Sequence, residues 1–279
     1  MDALDDGNSD FFIHVDKKIT SFASLDKPNV VYLKDEKRWD IRWASFEMVR
    51  ATVDLIELCL ETEKLYDYII LLSGQDFPIK TNSDIQQFLS DGRNCNYIEV
   101  ISENTSLYRR YEKRNSLYYP RWMLKRGFID KCIKRLYIYA TGGYNYTFPL
   151  FKKSNMTGLK LYYGSQWWAL QRECIQWMYS YIHANPQVME FYASSLTPDE
   201  SFFQTIFMAS PYADTRKDKI VYLEWDDNNN NPKIIDKKLA EHLIACENSY
   251  LFARKFDVGI DKEALNTVIS NVFMMEHRR

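Results

Sequence analysis

YDYIILLSGQDFPIKTNSDIQQFL, residues 66–89, decides the fold. Its opening apolar run is continuous enough to predict a strand buried on both faces. Gly74 and Pro78 then mark a loop, and Asn82 stands where a helix cap belongs. Strand, loop and helix in so short a span form the repeating unit of an α/β protein. Working outward, FFIHVD (11–16) and NVVYL (29–33) read as two more strands. Between them and the opening stretch, residues 42–63 carry Phe46, Val49, Val53, Ile56 and Leu60 at helical spacing, with Ser45 as the cap. Downstream, NYIEVI (96–101), GSQWWAL (164–170) and KIVYLEW (219–225) read as strands, and 251–256 carries the apolar run LFARKF. A helix runs to Ile182 and is closed by Asn185-Pro186, another starts at Thr197, and two more lie near the C-terminus.

This order predicts one α/β domain over residues 1–279, with a mostly parallel, Rossmann-like sheet flanked by helices. Residues 1–106 have the topology of a nucleotide-binding half. Residues 107–160, rich in Tyr, Arg and Lys and weakly periodic, read as an irregular insertion. In such sheets ligands sit beyond the carboxyl ends of strands, where Asp16 and the loop Ser73, Gly74, Asp76 fall.

Composition bounds the function. Hydrophobic residues make up 46% and charged residues 27%, an ordinary globular balance. A formal net charge of -2 argues against nucleic acid as a partner. The 5 cysteines are widely spaced without a CxxC, which disfavours zinc and a disulfide framework and suits a reducing compartment. No apolar run reaches the ~20 residues of a membrane span. The polar N-terminus does not read as a signal peptide, so the expected location is cytoplasmic. The basic, aromatic stretch 122–135 leaves peripheral contact with the inner membrane face open.

The chain has no GxGxxG, P-loop or HExxH, and no Asp-x-Asp pair of the kind that holds a divalent metal against a diphosphate. Any phosphate-bearing ligand must then be met by Lys and Arg. TPDESFF (197–203) has two readings. Thr197, Pro198 and Glu200 have the spacing of a capping box, yet Glu200 is equally placed to be a base.

Six short motifs then carry a resemblance: HVDKK (14–18), RWASFEMVRA (42–51), LLSGQDFPIKT (71–81), GSQWWALQRE (164–173), TPDESFFQTI (197–206) and LFARKFD (251–257). In this order they resemble the core-2/I-branching family of β-1,6-N-acetylglucosaminyltransferases and peptide O-xylosyltransferases, in its bacterial form. The resemblance implies a GT-A-type fold, with the family's first strand missing ahead of residue 1. It implies a UDP-sugar donor, with GlcNAc first and xylose second, and inversion without a metal or other cofactor. The acceptor would be a glycan or a lipid-linked or polysaccharide hydroxyl, and residues 161–279 would form the catalytic and acceptor half. Glu200 matches the family's base, Asp16 its uridine aspartate, and Lys255 the lysine that meets the diphosphate. Lys219 or Arg254 would stand in for a family arginine that falls on Val221. Ser73, Gly74 and Asp76 join the donor site, while Glu99, Gly164 and Ser165 join the acceptor site. Alternation puts one of Trp167 and Trp168 outward to stack on the acceptor, against a competing reading in which both rings are buried. A further alternative, which the missing strand suggests, is a module that binds nucleotide sugar without turnover.

Overall fold

The computed structural model describes residues 1–119, 122, 127–140, 152–225, 232–246 and 249–274. Nine strands are β1 (Phe11–Ile13), β2 (Val30–Tyr32), β3 (Tyr68–Ile70), β4 (Asp76–Pro78), β5 (Asn96–Ile98), β6 (Trp168–Gln171), β7 (Arg216–Lys217), β8 (Val221–Leu223) and β9 (Phe252–Arg254) among the described residues. They form three small sheets, in the orders β1-β2, β3-β6-β5-β7 and β4-β9-β8. The α/β class is as expected and consistent with a GT-A-type fold. The strand directions depart from a mostly parallel sheet, because three of the six pairings are antiparallel. The cause is topological. β6 enters between β3 and β5 and runs against both, and β9 likewise runs against β4.

β3, expected to be buried on both faces, is an edge strand and half-buried throughout. Central β5 takes the fully buried role instead. The helices follow the apolar spacing more closely than the caps do. Helix α1 (Glu47–Leu60) buries Val49, Val53 and Ile56. Its cap position is Phe46, and the Ser45 hydroxyl instead accepts from Arg42 N at 3.3 Å. Helix α2 (Asn82–Asp91) is capped by Thr81, whose hydroxyl accepts from Asp84 N at 3.1 Å, one residue before the expected Asn82.

The stretch read as irregular holds two helices, α3 (Ser106–Ser116) and α4 (Phe128–Ala140). Helix α5 (Arg172–Ala184) is followed at once by α6 (Pro186–Tyr192), so Pro186 opens a helix as well as closing one. Helix α7 (Phe202–Met208) comes next, and α8 (Lys237–Ala245) and α9 (Lys262–Val268) complete the chain's described helices. The loop at 226–231 lies outside the described residues.

The main core packs α1, α5, α6 and α7 against β6 through Val49, Ile175, Phe191, Phe203 and Leu170. A second core joins α8 and α9 beneath Ala253 and Phe256. Burying such side chains stabilises each by about 1.5–3 kcal/mol. The turn that bears Glu200 therefore leads directly into α7, whose Phe202, Phe203, Ile206 and Phe207 are all in the main core.

Candidate active site

Glu200 does not close a capping box. Thr197 sits in the left-handed region, with φ 51°, and makes no side-chain cap bond. Pro198–Glu200 is a single 3-10 turn, and α7 starts only at Phe202. Such a φ is unusual for a β-branched residue and marks a turn held by its surroundings. Thr197 N donates to Ala44 O at 3.1 Å, and Gly164 N donates to Glu200 O at 2.9 Å, fixing the turn from both sides.

The Glu200 side chain is 15% exposed, and its Oε2 lies 3.3 Å from Arg114 Nη1. Burial pushes the carboxyl above the ordinary glutamate range. Arg114 opposes that rise, as do the nearby Thr197 and Tyr111 hydroxyls, although Thr197 Oγ1 makes no hydrogen bond of good geometry. Asp199, the next residue back, is buried, and its Oδ1 has no hydrogen-bond partner among the described residues. Burial first, and then the Glu200 charge, raise the Asp199 pKa. Two adjacent buried carboxyls disfavour ionising together.

Glu99 joins this group. Its Oε2 accepts from Ser165 N at 2.8 Å, and its Oε1 from Lys219 Nζ at 2.7 Å. The Gly164 backbone is equally close, because a Cβ on Gly164 would lie 1.9 Å from Glu99 O. Glu99, Gly164, Ser165 and Glu200 are thus brought together in one segment cluster. Lys219 is not free for a donor diphosphate as the sequence suggested, because Glu99 neutralises it at the end of the short run into β8.

A second group surrounds the loop after β3. Asp76 is fully buried and accepts from Ser73 N at 2.5 Å and from Arg254 Nη1 at 3.0 Å. Arg254 also donates to Ser73 Oγ at 3.1 Å and stacks 4.3 Å over the Trp167 ring. Burial raises the Asp76 pKa, against the pull of Arg254. The Asp76 carboxylate is therefore used to brace the loop, and its fully buried side chain is not offered to a donor. Gly74 has no positive φ, and a Cβ there would meet nothing within 4 Å, so the turn does not require glycine. A shallow cavity of about 270 Å³ lies beside Gly74, Gln75, Phe77, Phe256 and Asp257. Another cavity, of about 280 Å³ beside Glu57 and Arg172, is lined by none of the candidates.

Both tryptophans are buried, Trp167 at 7% and Trp168 at 1% exposure, so neither is an outward stacking platform. Trp168 packs on Phe203 in the main core. Trp167 is covered by Arg254 and thereby links the second group to the 164–168 segment. Lys255 is half-buried and makes no ion pair among the described residues. Asp16 lies in a third group, where it initiates a turn by accepting from Lys18 N at 2.9 Å and pairs with Lys18 Nζ at 2.8 Å. No His, Cys, Asp or Glu cluster able to hold a metal occurs among the described residues.

Two candidates lie outside the motifs, Arg114 and Tyr111, and a third, Asp199, lies within TPDESFF, where the motif singles out Glu200 instead. Tyr111 and Arg114 stand three apart on α3, a spacing that shares one helix face and was the available signal. Arg114 reads in sequence as part of a solvated basic run because its partner lies 86 residues away.

A sequence profile of the Core-2/I-Branching enzyme family matches residues 3–245. The chain belongs to this family. It is a family of glycosyltransferases, and its matched span includes Asp16, Glu99, Ser165 and Glu200, but not Arg254 and Lys255. Similar curated proteins include xylosyltransferase 1 of Rattus norvegicus, 23% identical over 94% of this chain and 32% of its own length. Xylosyltransferase 2 of Rattus norvegicus is 23% identical over 91% of this chain and 29% of its own. Xylosyltransferase 1 of Homo sapiens is 25% identical over 76% of this chain and 21% of its own. The chain therefore spans about a third or less of these family members.

Proposed function

We propose that this chain transfers a sugar from a UDP-sugar to a hydroxyl of a glycan or lipid-linked acceptor, by inverting displacement and without a metal, with Glu200 as the general base. The observation that supports this most is the setting of Glu200: a turn clamped on both sides, one carboxylate oxygen on Arg114, residual exposure, and a backbone bond to Gly164, whose neighbour Ser165 holds Glu99. Burial raises its pKa, which makes it a stronger base than an exposed glutamate. Arg114 opposes that rise and favours the ionised form. Glu200 takes the acceptor proton as the oxygen attacks the anomeric carbon, and the C–O bond to UDP breaks in the same step.

Lys255, which has no carboxylate partner among the described residues, meets the departing diphosphate. Arg254 is committed to Asp76 and Ser73 and holds the shape of the loop. Lys219 is reassigned to holding Glu99, which faces the acceptor. Asp16 is proposed to hold the uridine. GlcNAc is the donor sugar of first choice, and the names of the relatives favour xylose as the second. Metal independence rests on the missing Asp-x-Asp pair in the sequence.

The Glu200→Gln variant tests this reading. It is expected to bind UDP as the wild type does, by calorimetry, while release of UDP to acceptor falls by about two to four orders of magnitude. Undiminished transfer would remove Glu200 from the role. UDP binding abolished by EDTA would overturn the metal-free account.

A further inference from the structure

Helix α4 presents an apolar face to solvent. Phe128, Ile129, Ile133, Leu136 and Tyr139 are between 50% and 83% exposed. At about 100° per residue these positions, together with Cys132 and Ala140, fill one continuous arc of roughly 140°. The protein-facing side is marked by buried Ile138 and by Tyr137, which packs edge-on to Trp122 at 5.3 Å. Exposed Lys131 and Arg135 border the arc on one margin. The helix carries Lys131, Lys134 and Arg135 against a single acid, Asp130, in a chain whose net charge is -2.

We propose that α4 lies in the plane of an anionic lipid bilayer, with its apolar arc in the acyl boundary and its basic margin among the headgroups. Charge complementarity selects this occupant: a cationic edge beside large apolar and aromatic side chains is the pattern of an interfacial helix. Thirteen residues are too few to span a bilayer, and no helix among the described residues is long and apolar enough to cross one. The surface belongs to the same insertion as α3, which supplies Arg114 to Glu200. The inference stands apart from the chemistry of transfer, because its test reads no activity.

The test is co-sedimentation of the purified chain with phosphatidylcholine vesicles, with and without phosphatidylglycerol. The wild type is expected in the pellet with phosphatidylglycerol vesicles and is released by salt. A double Ile129→Glu, Leu136→Glu variant is expected in the supernatant, with unchanged thermal unfolding because both sites are exposed. Lys131→Gln and Arg135→Gln are each expected to weaken binding roughly fivefold, from about 1 kcal/mol per basic residue near an anionic surface. Failure to sediment with either vesicle would overturn the proposal, as would equal binding by the double variant. A wild-type dimer that becomes monomeric in the double variant, with no vesicle binding, would assign the face to a second copy instead.

Discussion

Arg114 and Glu200 illustrate how one ion pair would tune the proposed base. The guanidinium favours the ionised carboxylate, while burial favours the protonated one, and burial is the larger influence. A base works only when deprotonated, so kcat/KM should rise with pH through the raised Glu200 value. Replacing Arg114 with Met removes the opposing charge and raises that value further. The acidic limb of the pH–rate profile is then expected to move to higher pH. An unmoved limb would mean that Arg114 does not face Glu200 in solution. At this scale the sequence was half legible. Glu200 could be singled out because its turn is local. Arg114 could not, because the contact depends on α3 meeting a turn remote in the chain.

Among elements, the contact between β5 and the 164–165 segment is the tightest at the site. Gly164 passes so close to Glu99 O that a methyl group has no room, and the obstructing atom is backbone. The Gly164→Ala variant is expected to lose about 1–3 kcal/mol in denaturant unfolding. Transfer is expected to fall as well, since Ser165 N and Gly164 N hold the Glu99 and Glu200 segments in place. Unfolding and transfer that both match the wild type would show that the segment can relax. Apolar spacing made α1, α2 and α5 legible. The caps shifted because Thr81 and Asn82 are both good cap residues, and only the backbone path chooses between them. Helix α3 was obscured by its own composition, being basic and poor in apolar spacing, with only Tyr111 and Asn115 buried.

At the scale of the whole molecule, Asp16, the Ser73–Arg254 group and Lys255 come from opposite ends of the chain, yet the proposal places them around one donor. UDP alone is therefore expected to slow hydrogen exchange at 14–19 and at 252–257 together. Protection confined to one of these segments would separate Asp16 from the diphosphate site. The α/β class was readable because strands and helices alternate. The direction of β6 was not, since a buried strand looks alike in either orientation. That strand also governs how the protein is made. A ribosome delivers β3 and β5 long before β6, and until residue 171 emerges those two strands share no neighbour. A nascent chain carries both bare edges throughout that interval and is most exposed to aggregation then. A message that stalls between them would release a product unable to close its central sheet.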